Sequence, residues 1–316
     1  MTGNLPDLVA IAIPAFILLI FAEILWARRN SPGSYHPDDL LISMLLGLTA
    51  FLAGLFFAGP VHAISSYVAQ FQLGQLSFAW WVWALCIFAD DFLHYALHRA
   101  SHQVRFLWAS HVVHHSSQHF NLVVGLRQSG SIVFLSALIF RLPLVLLGFP
   151  LEMVVAVITG NQIYQFWTHC DAVRACPRWF SYIFTTPNHH RIHHAANPEY
   201  LDRNYAGVFI IWDRMFGTFQ EQLPSMPPRY GLVQQLGRFN LLICIFHEWT
   251  AILSDMYRAP WRHKLAYFFA PPGWSHDGSR ETSTDIKARW AAAKADGGQT
   301  VQAMENRIDE HSPQSR

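Results

Sequence analysis

The chain has 316 residues, of which 52% are apolar and only 14% charged, and its mean hydropathy is positive at +0.18. Soluble globular chains carry about 25% charge, so two small soluble domains are a poor fit and one multi-span membrane domain with a soluble cap a good one. A formal net charge of +1 excludes the broad basic field that nucleic-acid binding would need.

A bilayer core of about 30 Å takes about 20 apolar residues as a helix, and the chain offers several such runs. Leu8–Trp26 is the first, broken only by Glu23. The first ten residues hold no Lys or Arg and no cleavable signal pattern, so this run is expected to stay as an anchor. Leu40–Gly59 follows without a charge. Phe78–His98 has the right length, but its last third carries Asp90, Asp91, His94 and His98. Ile132–Leu147 and Leu151–Trp167 form two arms of a predicted helical hairpin turning at Gly148-Phe149-Pro150, with a kink expected at Pro143. The expectation is an all-α integral membrane fold of about four to five transmembrane or hairpin helices under a cytosolic helical cap.

Basic residues give the orientation. Arg28, Arg29, Arg99, Arg105, Arg127, Arg174, Arg178 and Arg191 fall on one side, while the Pro60–Ser77 loop and the hairpin tip have no Lys or Arg. The positive-inside rule then puts the N-terminus outside and residues 99–130 and 168 onward in the cytoplasm. Trp80, Trp81 and Trp83 would form a belt at the outer interface. Residues 238–257 are amphipathic and fit either the membrane surface or the cap. Residues 276–316 form a polar tail, expected to be a loose helix followed by disorder. Cys86, Cys170, Cys176 and Cys244 lack paired ligand spacing and read as free thiols.

The histidines carry the chemistry. Eighteen histidines in this length would put about one or two into any 24 positions, yet three windows totalling 24 positions hold eleven. They are His94-x-x-x-His98 with His102 beyond, His111-x-x-His114-His115 with His119 beyond, and His189-His190-x-x-His193-His194. Residues three or four apart share a helix face, so each window presents two or three imidazoles together. His169, past the hairpin, is a further candidate. Eight or nine imidazoles exceed what one first-row ion takes, so two ions are expected, and imidazole suits iron, zinc, copper or nickel. His102, His119 and His189 each sit beside a box as ligand or supporting contact. His36, His62, His247, His263, His276 and His311 are read as ordinary.

The topology, read from arginines and apolar runs alone, places all three boxes and His169 on the cytoplasmic face. Asp90 or Asp91 is a candidate acceptor for the outer N–H of a ligand imidazole, which would fix its ring. Asn161, Gln165 and His169 recur every four residues as one polar stripe expected to face the site. Asn204, Asp213 and Arg214, after the last box, are candidates for the substrate or reductant site; Asp213 and Arg214 otherwise read as an ion pair.

The boxes HxxxH, HxxHH and HxxHH resemble those of the fatty acid hydroxylase / sterol desaturase superfamily of membrane di-iron oxygenases. The likeness extends over roughly Phe78 to Phe219. The stretches DDFLHYALHRASHQVRFLWASHVVHHSSQHFNLVVGLRQS, NQIYQFWTH and TPNHHRIHHAANPEYLDRNYAGVFIIWDRMFGTF are similar to its alkylglycerol monooxygenase-like branch. Ala206 departs from that branch, which commonly has a second glycine there. The resemblance implies a fatty acid hydroxylase-type domain over residues 1–275. It implies iron ligands His94, His98, His111, His114, His115, His190, His193 and His194, with His169 as a ninth, and zinc as a possible replacement. It also implies a lipid substrate, O2, the membrane and an electron donor of unknown type as partners. The implied reaction is O2-dependent hydroxylation of a long-chain lipid, in one case at the carbon next to an ether oxygen. The alternatives are hydroxylation or desaturation of a fatty acyl, sterol-like or carotenoid chain, and, in another class, a non-enzymatic membrane metal-binding or electron-transfer protein. A multi-haem carrier would need histidine pairs within the bilayer, and a transporter would need them along a path across it.

Overall fold

The computed structural model describes residues 8–237 and 240–295, and among these it contains helices and no β-strand. The helices are α1 (Leu8–Asn30), α2 (Pro37–Val68), α3 (Trp80–Gln103), α4 (Arg105–His115), α5 (Gly130–Leu146), α6 (Leu151–Trp167), α7 (Arg178–Ile183), α8 (Pro187–His193), α9 (Ile211–Met215), α10 (Leu241–Arg258), α11 (Ala266–Phe269) and α12 (Ser283–Ala295).

Two helices among the described residues are long and apolar enough to cross a membrane, α1 and the run Pro37–Phe71 that α2 dominates. Their outward faces are apolar, with Leu18 69% and Phe56 75% exposed. A continuous surface of this kind exceeds what a soluble monomer shows, and it associates the protein with a membrane. Pro37 starts α2, where a missing N–H costs nothing, and Asp38 and Asp39 sit in its first turn against the positive end of the helix dipole. The hairpin arms α5 and α6 have 17 residues each, about 26 Å of helix at 1.5 Å per residue. That is short of a full bilayer core.

The hairpin tip is pinned as well as turned. Leu73 and Leu76 donate backbone N–H to Leu146 and Gly148 carbonyls at 2.9 Å. Gly148 has φ +97°, and a Cβ there would lie 2.4 Å from the Gly74 carbonyl oxygen, so no other residue fits. Behind the tip, Val82 and Cys86 of α3 pack with Leu144, Val145, Phe149, Met153, Val154 and Val157. This core fixes the axes of α3 and α6, which carry polar side chains toward the histidines.

Two buried charges tie α1 and α2 to the segments around the histidines. Glu23 of α1 is 3% exposed and accepts from Tyr35 Oη at 2.5 Å, Leu122 N at 2.8 Å and Asp171 N at 2.5 Å. Arg127 is fully buried; it donates to Asp39 at 2.8 Å, Ser43 at 3.0 Å, Ser116 at 3.0 Å and the Val113 carbonyl at 3.1 Å. Cys244 lies within 3.5 Å of the same guanidinium, and all four cysteines are free.

The amphipathic helix α10 uses both of its faces. Its polar side packs on α4, where Arg105 bridges Glu248 at 2.6 Å and Asp255 at 2.7 Å. Its other side exposes Leu242, Phe246, Leu253 and Tyr257. The first part of the polar tail is not loose. Lys287 of α12 donates to the Leu201 carbonyl at 2.9 Å, and Trp290, buried, donates to Glu199. The expected disorder falls on residues 296–316, outside the described residues, as does His311.

Candidate metal centre

Nine imidazoles converge in two buried groups. His98, His102, His111, His115 and His193 form one; His114, His169, His190 and His194 form the other. Within each group the candidate ligand nitrogens lie within 4.8 Å of one another. The i,i+4 pairs His98/His102, His111/His115 and His190/His194 each stay within one group, as a shared helix face requires. His114 and His193, from the middle of their boxes, point to the opposite group. The groups adjoin: the ring centroids of His115 and His194 are 4.6 Å apart, and those of His193 and His190 are 5.2 Å apart.

The outer ring nitrogens decide what the inner ones can do. His98 Nδ1 donates to the Tyr205 carbonyl at 2.7 Å, His114 Nδ1 to Arg127 at 3.1 Å, His169 Nδ1 to Gln165 at 3.0 Å and His193 Nδ1 to Arg203 at 2.9 Å. His102 Nδ1 faces the Asp202 carboxylate at 3.3 Å. A neutral imidazole that donates from Nδ1 has a bare lone pair on Nε2. Where both outer nitrogens are so engaged the lone pairs meet, as at His169 and His114, whose Nε2 atoms are 3.2 Å apart; Nε2 of His98 also lies 3.0 Å from that of His111, that of His193 3.1 Å from His115 and that of His169 2.9 Å from His190. Buried His102 Nε2 has no protein partner at all. Acceptors crowded against acceptors suit a cation at the centre of each group, and the donor set, all imidazole with no thiolate or carboxylate, fits iron and equally zinc.

Electrostatics keep the donors neutral. Burial, reinforced by neighbouring imidazoles, pushes His111, His114, His115, His190, His193 and His194 well below the ordinary histidine value. Burial lowers His169 to about 4 against the opposing carbonyl bonds. Burial of Asp202 disfavours its charge, but the hydrogen bond from His102 and nearby Lys287 outweigh it and hold the carboxyl below its usual range.

His94 lies outside both groups, although it begins the first box, and His102 lies within one. His119 bonds the Gly33 carbonyl at 2.9 Å, and His189 closes a capping box with Thr186 at the start of α8. The outer contacts also differ from the sequence reading. Asp91 accepts from Val208 N at 2.7 Å, Phe209 N at 2.9 Å and Trp212 Nε1 at 2.9 Å, and so holds the loop after the last box rather than an imidazole. Asp90 accepts from Asn161 Nδ2 at 2.9 Å. Asp213 accepts from Tyr205 N, Ala206 N and Thr218 Oγ1, at 2.8, 2.8 and 2.6 Å. The expected Asp213–Arg214 ion pair does not form. Arg214 lies over the Phe219 and Tyr182 rings, 3.7 and 4.6 Å from their centroids, since the backbone amides have already claimed the carboxylate. Asn204, with φ +56°, donates to the His189 and Gln220 carbonyls at 3.0 and 2.8 Å, clamping α8 to the following turn.

The polar stripe does face the site. Asn161, Gln165 and His169 line a cavity of about 700 Å³ together with His94, His98, His111, His114 and His190. Its opposite wall is Gly47, Ala50, Gly54, Ala58 and Val61 of α2. Three contributors went unassigned in the sequence: Asp202, Glu23 and the carbonyls of residues 203 and 205. Only Glu23 gave a signal, as a lone charge in an apolar run; Asp202 becomes visible only when the chain folds back over α3.

Residues 83–218 match the fatty acid hydroxylase family. Alkylglycerol monooxygenase of Homo sapiens is 34% identical over 278 residues, covering 86% of this chain and 61% of the relative. Alkylglycerol monooxygenase of Danio rerio is 35% identical over the same shares. Ornithine lipid hydroxylase OlsE of Rhizobium tropici is 31% identical over 169 residues, 52% of this chain and 47% of the relative. The chain thus spans about three-fifths of the length of these alkylglycerol monooxygenases. No solved structure matches the chain.

Proposed function

We propose that the protein is a membrane monooxygenase that hydroxylates a long-chain lipid with O2, using one iron ion in each imidazole group. The observation that carries this reading is a single cavity in which inward-facing ligand nitrogens meet an apolar wall. Pockets of 300–1,000 Å³ suit a bound small molecule, and this one measures about 700 Å³. The α2 wall from Gly47 to Val61 runs about 21 Å along the helix, enough for a long alkyl chain lying beside small side chains. A purely electron-transferring or metal-storing protein has no use for such a cavity.

When bound, iron would supply O2 activation and oxidation of an unactivated C–H bond. His98, His102, His111, His115 and His193 would hold one ion and His114, His169, His190 and His194 the other. At His98, His102, His114, His169 and His193 the backbone carbonyls and Asp202 keep the proton on Nδ1 and the lone pair on the metal side. Phe16, Leu48, Phe57 and Ile158 shield the chain from water. Asp91, Asp213 and Asn204 hold the segment after the last box against α3 and α8. The lipid enters from the bilayer, with α3 and the α5–α6 hairpin inserted beside α1 and α2 to make about five membrane or hairpin helices. The histidine cap faces the cytoplasm, and the exposed stripe of α10 lies on the bilayer surface. Electrons come from a separate donor.

The carbon next to an ether oxygen is the leading target, because the metal groups sit near the headgroup end of a lipid and the most extensive relatives are alkylglycerol monooxygenases. Such a product collapses to an aldehyde and an alcohol. The ornithine lipid hydroxylase relative favours acyl or headgroup hydroxylation as the second reading. Incubation with candidate lipids under oxygen-18 gas should place label in the hydroxylated product, or in the aldehyde before it exchanges with water. Equal turnover without O2 would overturn the oxygenase reading.

A further inference from the structure

One short segment after the last box holds three imidazoles of the first group by their outer nitrogens. The carbonyls of Tyr205 and Arg203 accept from Nδ1 of His98 and His193 at 2.7 and 2.9 Å, and the Asp202 carboxylate faces Nδ1 of His102 at 3.3 Å. In the second group, His114 and His169 use the carbonyls of Arg127 and Gln165 instead, on other parts of the chain. Whatever fixes residues 202–205 therefore bears on the first group more than on the second. The segment needs fixing: Asp202 and Asn204 have φ of +54° and +56°, left-handed backbone that persists in residues other than glycine only where neighbours hold it. At the downstream end, Asp213 accepts from the Tyr205 and Ala206 amides.

The upstream end meets α12, which lies outside the residues that match the fatty acid hydroxylase family. A capping box starts this helix: Thr282 N and Oγ1 donate to Asp285 at 2.9 and 2.7 Å, and Asp285 N donates to Thr282 Oγ1 at 3.3 Å. Ser283, Lys287 and Trp290 then stand at i, i+4 and i+7 and share one face. On that face Lys287 Nζ donates to the Leu201 carbonyl at 2.9 Å, and buried Trp290 donates from Nε1 to Glu199. Lys287 and Ser283 also favour the charged form of the Asp202 carboxylate. We propose that α12 positions the first metal site: Lys287 and Trp290 hold residues 199–202, and through them the outer partners of His102, His193 and His98. This rests on the reading of the imidazole groups as metal sites and deepens it, since it makes the polar tail a part of the centre. Lys287 is a positioning residue that acts through Leu201 and Asp202.

The test uses the full chain, purified in detergent and loaded with zinc, with affinity read by graded chelator dialysis and elemental analysis. Two backgrounds separate the sites. His190→Ala weakens the second group, and the His98→Ala/His193→Ala pair weakens the first, so the more tightly held zinc in each belongs to the untouched group. Lys287→Met keeps much of the side chain's length but removes its donor and its charge. It should weaken the tightly held zinc about tenfold in the His190→Ala background, the usual effect of losing an outer partner. In the other background it should change nothing. Lys287→Arg, which keeps a donor and a charge, should restore most of the affinity. An unchanged zinc affinity of Lys287→Met in the His190→Ala background would overturn the proposal while leaving the metal reading intact. An equal loss in both backgrounds would also overturn it, because it would report a general loss of stability. If the unaltered protein holds no zinc against the chelator, the metal reading itself falls, and this proposal with it.

Discussion

The two imidazole groups differ in size, and that difference predicts unequal tolerance to losing a ligand. The first has five candidate nitrogens and the second four. Metal sites made of four side chains are worth about 10–16 kcal/mol, or roughly 3–4 kcal/mol per ligand, two to three powers of ten in affinity. His190→Ala leaves three imidazoles in the second group and should lower its affinity by that full amount. His102→Ala leaves four in the first group, still a complete tetrahedral set, and should cost about tenfold or less. With graded chelator dialysis followed by elemental analysis, the unaltered protein should hold two metals per chain and His102→Ala close to two. His190→Ala should hold close to one, retaining the ion of the first group. Equal metal loss in His102→Ala and His190→Ala would refute the assignment of five and four.

Three further outcomes follow from the same geometry. Arg127→Met strands the buried Asp39 carboxylate and should cost about 3–5 kcal/mol, read as resistance to unfolding in detergent. The Arg127→Met/Asp39→Leu double variant should recover part of that, and a double variant as unstable as the sum of the single ones would show that the pair does not interact. Gly54→Phe places a ring against the lipid cavity and should leave metal content at two while selectively abolishing turnover of the longest chains; uniform loss across chain lengths would mean that the chain lies elsewhere. Metal-free protein should lose stability as pH falls from about 6.5 toward 4. The folded histidines, His169 and His189 at about 4 among them, resist protonation, whereas unfolded histidines take up protons from about 6.5 downward. Stability is therefore fully present above the unfolded value, and each such group removes about 1.4 kcal/mol per pH unit below it. A melting temperature that stays flat from pH 7 to pH 5 in chelator would contradict the buried, neutral state of these rings.

The helices and the clustering of histidines could be read from local pattern, because apolar runs and i,i+4 spacing are properties of a single segment. Leu8–Trp26 and Leu151–Trp167 appear within a few residues of α1 and α6, and the stripe Asn161, Gln165, His169 faces the site as its spacing requires. Which histidines converge could not be read that way. His94, His98 and His102 are spaced identically along α3, so periodicity gives them equal claims. The separation comes from the distant partners of their Nδ1 atoms. His98 meets the carbonyl of Tyr205 and His102 the carboxylate of Asp202, both on the loop after the last box, whereas His94 meets an amide donor on α6.

The same loop explains why Asp91 did not become an imidazole acceptor. A carboxylate can satisfy four donors, and the amides of Val208 and Phe209 with the Trp212 indole occupy Asp91. Gly207 makes this approach possible: a Cβ there would lie 2.9 Å from Asp91, Asn161 and His94 alike. Ala206, one step earlier, is buried and donates its N–H to Asp213, so the departure from glycine at that position is accommodated where a side chain at Gly207 would not be. A single glycine thus lets the loop close over α3 and brings Tyr205 to His98. It also lets Asp91 hold both that loop and Asn161 of α6.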